Sequence, residues 1–246
     1  MMVSMSVLTL IFGLMTQMIG TVSRDSRYCQ QRVNNFTKSR ALLDILTQDL
    51  KAALYRDDLA FYPAGSETNL AFYTQRSDGG SGSTRNLTLV QYAIDPASGT
   101  SNLNRSSLAV NWASTSSDVS FGDATNLPSL SQVTSYEAAP GVVGFQVHFL
   151  LSDGTIQSTY TNSASNPLRA VGVTLAVLDD QSMALLTPSE LASLQAQLAA
   201  AAPANAMVKE AWETALNQGS IGAGIPHAVN ASIHVFERFV YVLPSF

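Results

Sequence analysis

The hydrophobic pattern changes character once near the start of the chain and twice later. Residues 1–23, MMVSMSVLTLIFGLMTQMIGTVS, contain no charged side chain. As a helix this run measures about 35 Å at 1.5 Å per residue, enough to cross a hydrocarbon core of ~30 Å. A cleaved signal peptide wants a basic segment before the apolar run and a small-residue cleavage site. No Lys or Arg precedes the run, and Gly20-Thr21-Val22-Ser23 is a poor site. A buried helix is the other alternative, and a membrane-anchoring helix is the reading retained. No Pro or Gly then occurs between Thr21 and Tyr62. Phe36, Leu43, Leu46, Leu50 and Leu54 recur at helical spacings of three, four and seven. Arg24, Arg27, Arg32, Lys38, Arg40 and Lys51, mixed with Asp25, Asp44, Asp49 and Asp57, take the other face. The pattern predicts one unbroken helix of about 55–60 residues, apolar all round in its first half and striped in its second.

Beyond residue 63 the period falls to two. Strand patterns occupy residues 69–74 (NLAFYT), 87–94 (LTLVQYAI), 103–112 (LNRSSLAVNW), 142–151 (VVGFQVHFLL), 156–161 and 168–178 (LRAVGVTLAVL). Turn chemistry separates them: a glycine-rich loop at 78–83, DPASG at 95–99, and Ser152-Asp153-Gly154-Thr155. The Ser/Thr-rich stretch 113–139 reads as a long surface loop. Thr187-Pro188-Ser189-Glu190 then has an N-cap Thr, Pro at the first helical position and Glu three after the cap. It starts a helix through Leu191, Leu194 and Leu198 that Pro203 breaks. A second helix follows over 204–217 until Gly219, and strand character returns between 226 and 246. The fold class is therefore α+β: a long N-terminal helix, transmembrane in its first half and amphipathic in its second, packed on an antiparallel β-rich head with a two-helix insertion. The expected divisions are 1–23, 24–62 and 63–246, with the insertion at about 187–218.

Composition narrows the function classes. Thirteen Lys/Arg against 18 Asp/Glu give a net charge of −5, which argues against nucleic acid as a partner. Charged residues are 13% of the chain, about half the usual ~25%, and Ser, Thr and Asn make up the deficit, as suits an extracytoplasmic surface. The lone Cys29 excludes an internal disulfide. The glycine loop lacks the Gly-Lys-Ser/Thr of a P-loop, Gly80-Ser81-Gly82-Ser83 is no nucleophile elbow, and Gly222-Ala223-Gly224 is followed by Ile225-Pro226 rather than a helix. His148, His227 and His234 are scattered, and His234 and Glu237 in one strand would point to opposite faces. Asp153 reads as a hairpin turn and Asp179-Asp180 as a strand end rather than as calcium ligands. Four N-x-S/T triplets are near the chance number for this composition. No catalytic, cofactor-binding or metal residue is singled out, and no cofactor is expected. The chain is not expected to be an enzyme, and a secreted-hydrolase reading finds no acid/base pair or partnered nucleophile.

An apolar N-terminal helix continuing into an amphipathic one before a β-rich head resembles the type IV pilin-like proteins, in particular a minor pseudopilin of the J or pilus-W type. The stretch VSMSVLTL at 3–10 is similar to the interior of a prepilin N-terminus, and SRALLDILTQDL at 39–50 to that class's helix. GFQVHF at 144–149 with Asp153-Gly154, and PLRAVGV at 167–173, are similar to the paired strands of its head. With Glu210-Ala211-Trp212 and FERFVY at 236–241, the whole chain looks nearest to the C component of the Verru_Chthon cassette. The resemblance implies a structural subunit of a type II secretion-like or type IV pilus-like filament. It would be a single-pass inner-membrane protein before assembly, with its head in the periplasm or in the filament. Implied partners are other pilin-like subunits, the inner membrane, and prepilin peptidase if an upstream leader exists. Val7, Leu8, Leu10, Ile11, Phe12 and Leu14 would make the membrane and subunit contacts. Phe36, Leu43, Leu46, Leu50 and Leu54 would dock the helix on the head. The chain carries no basic leader, no Gly-Phe peptidase site and no glutamate just after it, so Met1 is read as lying inside the mature helix, downstream of the true start. A basic leader would also resolve a charge conflict, since positive charge flanks the apolar run only on its C-terminal side. The alternative function is a membrane-tethered extracytoplasmic module that binds a surface polymer.

Overall fold

The computed structural model describes residues 2–55, 69–75, 88–94, 101–109, 134–160 and 166–242. Side chains are described from Ile11 onward, except at 24–25, 27–29, 31–32, 109 and 134–138. The chain forms two compact units, Met1–Lys38 and Ser39–Phe246. Helix α1 (Met2–Lys51) begins in the first and ends in the second.

The transmembrane half expected at residues 1–23 is corrected here. Among the described residues no helix is long and apolar enough to cross a membrane. The uncharged stretch with described side chains, residues 11–23, extends only about 20 Å as a helix, against the ~30 Å that a span needs. The fold description built on a transmembrane half, and the single-pass inner-membrane location, fall with it.

In the second unit, four antiparallel strands form one sheet in sequence order: β1 (Asn69–Thr74), β2 (Thr88–Ile94), β3 (Asn102–Ala109) and β4 (Thr134–Pro140). Four more form a second antiparallel sheet ordered β6-β5-β7-β8, from β5 (Val142–Leu151), β6 (Ile156–Gln157), β7 (Leu168–Val177) and β8 (His234–Tyr241). Between β7 and β8 lie α2 (Asp180–Met183), α3 (Pro188–Ala201), α4 (Val208–Asn217) and α5 (His227–Asn230). The fold is α+β with two antiparallel sheets. The two helices expected at about 187–218 are α3 and α4, and two single turns, α2 and α5, flank them.

Three further departures have local causes. Helix α1 stops at Lys51 rather than near residue 58, because the next residues pair with a strand: Leu54 donates to the Tyr73 carbonyl at 2.8 Å, and Gln75 to that of Ala52 at 3.0 Å. Strand β4 lies in what reads as loop. Its sequence, TSYEAAP, has weak strand propensity, and edge pairing along β3 overrides it. At the corner between the sheets Gly141 adopts φ +79°, and a Cβ there would lie 2.5 Å from the Leu178 carbonyl oxygen, so glycine is required.

The main core joins both sheets to the leucine ladder of α1. Leu42, Leu43, Leu46 and Leu50 pack with Phe72 and Tyr92 of the first sheet and Phe149, Val171 and Val173 of the second. The other face of β7 is small: Ala170, Gly172, Thr174 and Ala176. That lets the helices approach, and a second core forms there from Ala176, Leu191, Leu194, Leu198, Val208 and Trp212. The Trp212 indole N–H donates to the Leu198 carbonyl at 2.8 Å, tying α4 to α3.

Candidate functional site

Within the first unit, α1 presents an uncovered apolar surface. Ile11, Phe12, Leu14, Met15, Met18, Ile19 and Val22 are 48–71% exposed. The hydroxyls on this stretch are satisfied within the helix: Thr16 donates to the Phe12 carbonyl at 2.8 Å, and Thr21 to that of Met18 at 2.9 Å. The helix therefore offers neighbours mainly shape and apolar area, with the exposed Gln17 its one amide between Ile11 and Val22. Of the residues read as subunit contacts, Ile11, Phe12 and Leu14 lie on this surface. The side chains of Val7, Leu8 and Leu10 fall outside the described ones.

Residues read as the docking seam divide. Leu43, Leu46 and Leu50 are buried in the main core. Leu54 is half-buried beyond the helix end. Phe36 is 54% exposed, on the first unit. The ladder also includes Leu42, which the sequence reading left out.

The largest surprise at this seam is Asp49, assigned by its charge to the solvated face. It is 0% exposed. Its Oδ2 accepts the Arg105 Nε–H at 2.7 Å and the Tyr92 hydroxyl at 2.6 Å. Arg105 and Tyr92 are themselves buried and sit opposite each other on β3 and β2. Burial, reinforced by the Asp49 carboxylate, pushes the Tyr92 phenol well above its ordinary range, so it stays a donor. Five residues earlier, Asp44 accepts from the Arg238 guanidinium of β8, and this hydrogen bond holds its carboxyl below the usual range. One helical segment thus anchors to a different sheet through each carboxylate.

A second polar group interrupts the opposite face of the second sheet. His148 on β5 faces Gly172 on β7, which in turn faces Phe239 on β8. The imidazole is 1% exposed and neither ring nitrogen has a hydrogen-bond partner. A Cβ at position 172 would come within 2.0 Å of Nε2, so the ring occupies the space that glycine leaves. Phe239 meets it edge-on at 5.2 Å. The Glu237 carboxylate lies 3.9 Å from Nε2, too far for a hydrogen bond, and accepts instead from the Thr174 hydroxyl at 2.9 Å. Burial lowers the His148 pKa, and Glu237 only partly opposes this. The histidine beside Glu237 is thus His148 from another strand, not His234.

Among the described residues no three or more His, Cys, Asp or Glu side chains gather as metal ligands would. Asp153 closes its turn by accepting from the Thr155 N–H at 2.8 Å, and Asp179 caps α2 through Gln181 and Ser182. Within the second unit, the arrangement docks the last turns of α1 on a two-sheet head through its leucines and two carboxylates. No protein-family model matches the chain, and no curated protein matches it.

Proposed function

We propose that this protein is a structural subunit of a pilin-like filament, of the type II secretion-like or type IV pilus-like kind, in the role of a minor pseudopilin. The observation that carries the reading is the exposed surface of α1 between Ile11 and Val22. Single exposed apolar side chains are ordinary, but a contiguous run of large ones marks an interaction surface. Removing each such side chain from water is worth roughly 1.5–3 kcal/mol at full burial. Similar helices of neighbouring subunits are the partners that meet this surface. The buried Asp49–Arg105–Tyr92 group supports the same role, because a filament subunit needs its helix fixed against its head.

The test is co-purification and cross-linking of the full chain with the pilin-like subunits of its own cell, alongside Leu14→Asp and Ile19→Asp variants. The expected outcome is cross-links through α1 that both substitutions abolish, with the fold of Ser39–Phe246 unchanged. Cross-links that survive both substitutions, or a head that captures a surface polymer while no pilin-like subunit co-purifies, would overturn the proposal.

A further inference from the structure

A cavity of about 100 Å³ lies between the second sheet and helices α3 and α4, with Ile94 of β2 at its edge. Its floor is Gly144 and Gln146 of β5, and Leu198, Gln195 and Trp212 cover it from the helices. The floor is low because position 144 is glycine: a Cβ there would press on Trp212 and Leu198 at 3.0 and 3.1 Å. The Gln195 Nε2 is buried and has no hydrogen-bond partner among the described residues. Gln146 is buried too and lines the same pocket, whose remaining lining is apolar.

An acceptor placed opposite the buried Gln195 amide N–H would be stabilising. No charged side chain lines the cavity, so an ionised ligand would lose its hydration with nothing in return. A dry cavity of about 150 Å³ holds benzene, so this one fits a body of roughly four to five heavy atoms. We propose that the cavity binds a small neutral molecule, aliphatic at one end, whose carbonyl oxygen accepts the Gln195 Nε2–H. The aliphatic end packs on Leu198 and Trp212, and the carbonyl end lies toward the glutamines.

Trp212 reports on occupancy, because the only other tryptophan is Trp112. In the full chain carrying Trp112→Phe, the probe is propionamide, with propylammonium as the charged comparator that lacks an acceptor. The expected result is a saturable change in Trp212 emission with propionamide, with a Kd of about millimolar order for so small a ligand. Propylammonium should bind at least about tenfold more weakly. Gln195→Leu should weaken propionamide about tenfold, the loss of one hydrogen bond to a buried donor. Ala199 lines the cavity on the exposed side of α3, so Ala199→Phe should remove the saturable response without lowering Tm. The proposal is overturned by a response that climbs without saturating, one that persists in Ala199→Phe, equal binding of the two probes, or propionamide affinity that Gln195→Leu leaves unchanged.

Discussion

Helix α1 contains two stretches of similar apolar content with opposite fates. Between residues 11 and 22 it carries Ile, Phe, Leu, Met and Val side chains that stand in solvent. Between residues 42 and 50 it carries leucines that are 0–8% exposed. Hydrophobicity alone does not separate them, since the first stretch is the more apolar. What separates them is the presence of charge at one helical face. In the second stretch the leucines pack against two sheets while Ile45 stays 39% exposed, and a carboxylate enters the interface with its own partners. In the first, Ile11, Phe12, Leu14, Met15, Met18, Ile19 and Val22 lie on one side, within about 160° of the circumference at ~100° per residue, but the remaining side carries Gly13, Thr16, Gln17, Gly20 and Thr21 and no charge. Both stretches carry an apolar stripe; the second is covered by the sheets and the first is exposed.

The comparison breaks most easily at Asp49. Replacing it by Ala leaves the Arg105 guanidinium buried without its anion, a loss of about 3–5 kcal/mol in unfolding free energy by chemical denaturation. Joint replacement with Asp49→Leu and Arg105→Met should recover most of that loss. A near-neutral single variant would show that the ion pair does not hold the seam. Next in size, Leu50→Ala should lose about 2–5 kcal/mol through the cavity it opens, and Leu50→Asp more, because it buries a charge without a partner. An unchanged Tm for Leu50→Asp would remove the docking role of the ladder.

A smaller effect depends on pH. Burial holds the His148 pKa below its ordinary 6.5 in the folded state, so between those two values the unfolded chain binds more protons. Stability is then lost as pH falls below about 6.5, at up to about 1.4 kcal/mol per pH unit until the folded-state pKa is passed. His148→Leu should flatten that part of the profile, measured as Tm from pH 7.5 to 5.5. The smallest effects belong to the open surface. Leu14→Ser, Ile19→Ser and Phe36→Ser should each change unfolding free energy by no more than about 0.5 kcal/mol. The first two should still reduce association, measured by sedimentation of the full chain. A large destabilisation by either of them would mean that the stretch is already covered.

Much of the second unit was legible along the chain. Strand β1 and strand β5 begin and end where their apolar patterns do, and β7 differs from its pattern by one residue. The Thr187-Pro188-Ser189-Glu190 signature forms the reciprocal cap it encodes: Glu190 N–H donates to Thr187 Oγ1 at 3.3 Å, and Thr187 N–H to Glu190 Oε2 at 2.8 Å. These features depend on neighbours within a few residues, which a periodic pattern or a short motif records. Strand β4 was not legible, because its pairing with β3 rather than its own composition makes it a strand. The open surface of α1 showed as an apolar run, but length and hydropathy could not distinguish a membrane span from a helix that leaves its apolar side chains uncovered.

By itself the sequence determined the α+β alternation, the leucine ladder, the turn at Asp153-Gly154 and the start of α3, since each follows from local periodicity, capping or glycine geometry. Only the tertiary structure decided that Asp49 lies inside, that α1 ends at Lys51, and that Glu237 neighbours His148. The partners of Asp49 are 43 and 56 residues away. A charge on a helical pattern reads as solvated unless a distant strand brings an arginine and a tyrosine to meet it, and that meeting is a property of the fold rather than of any segment.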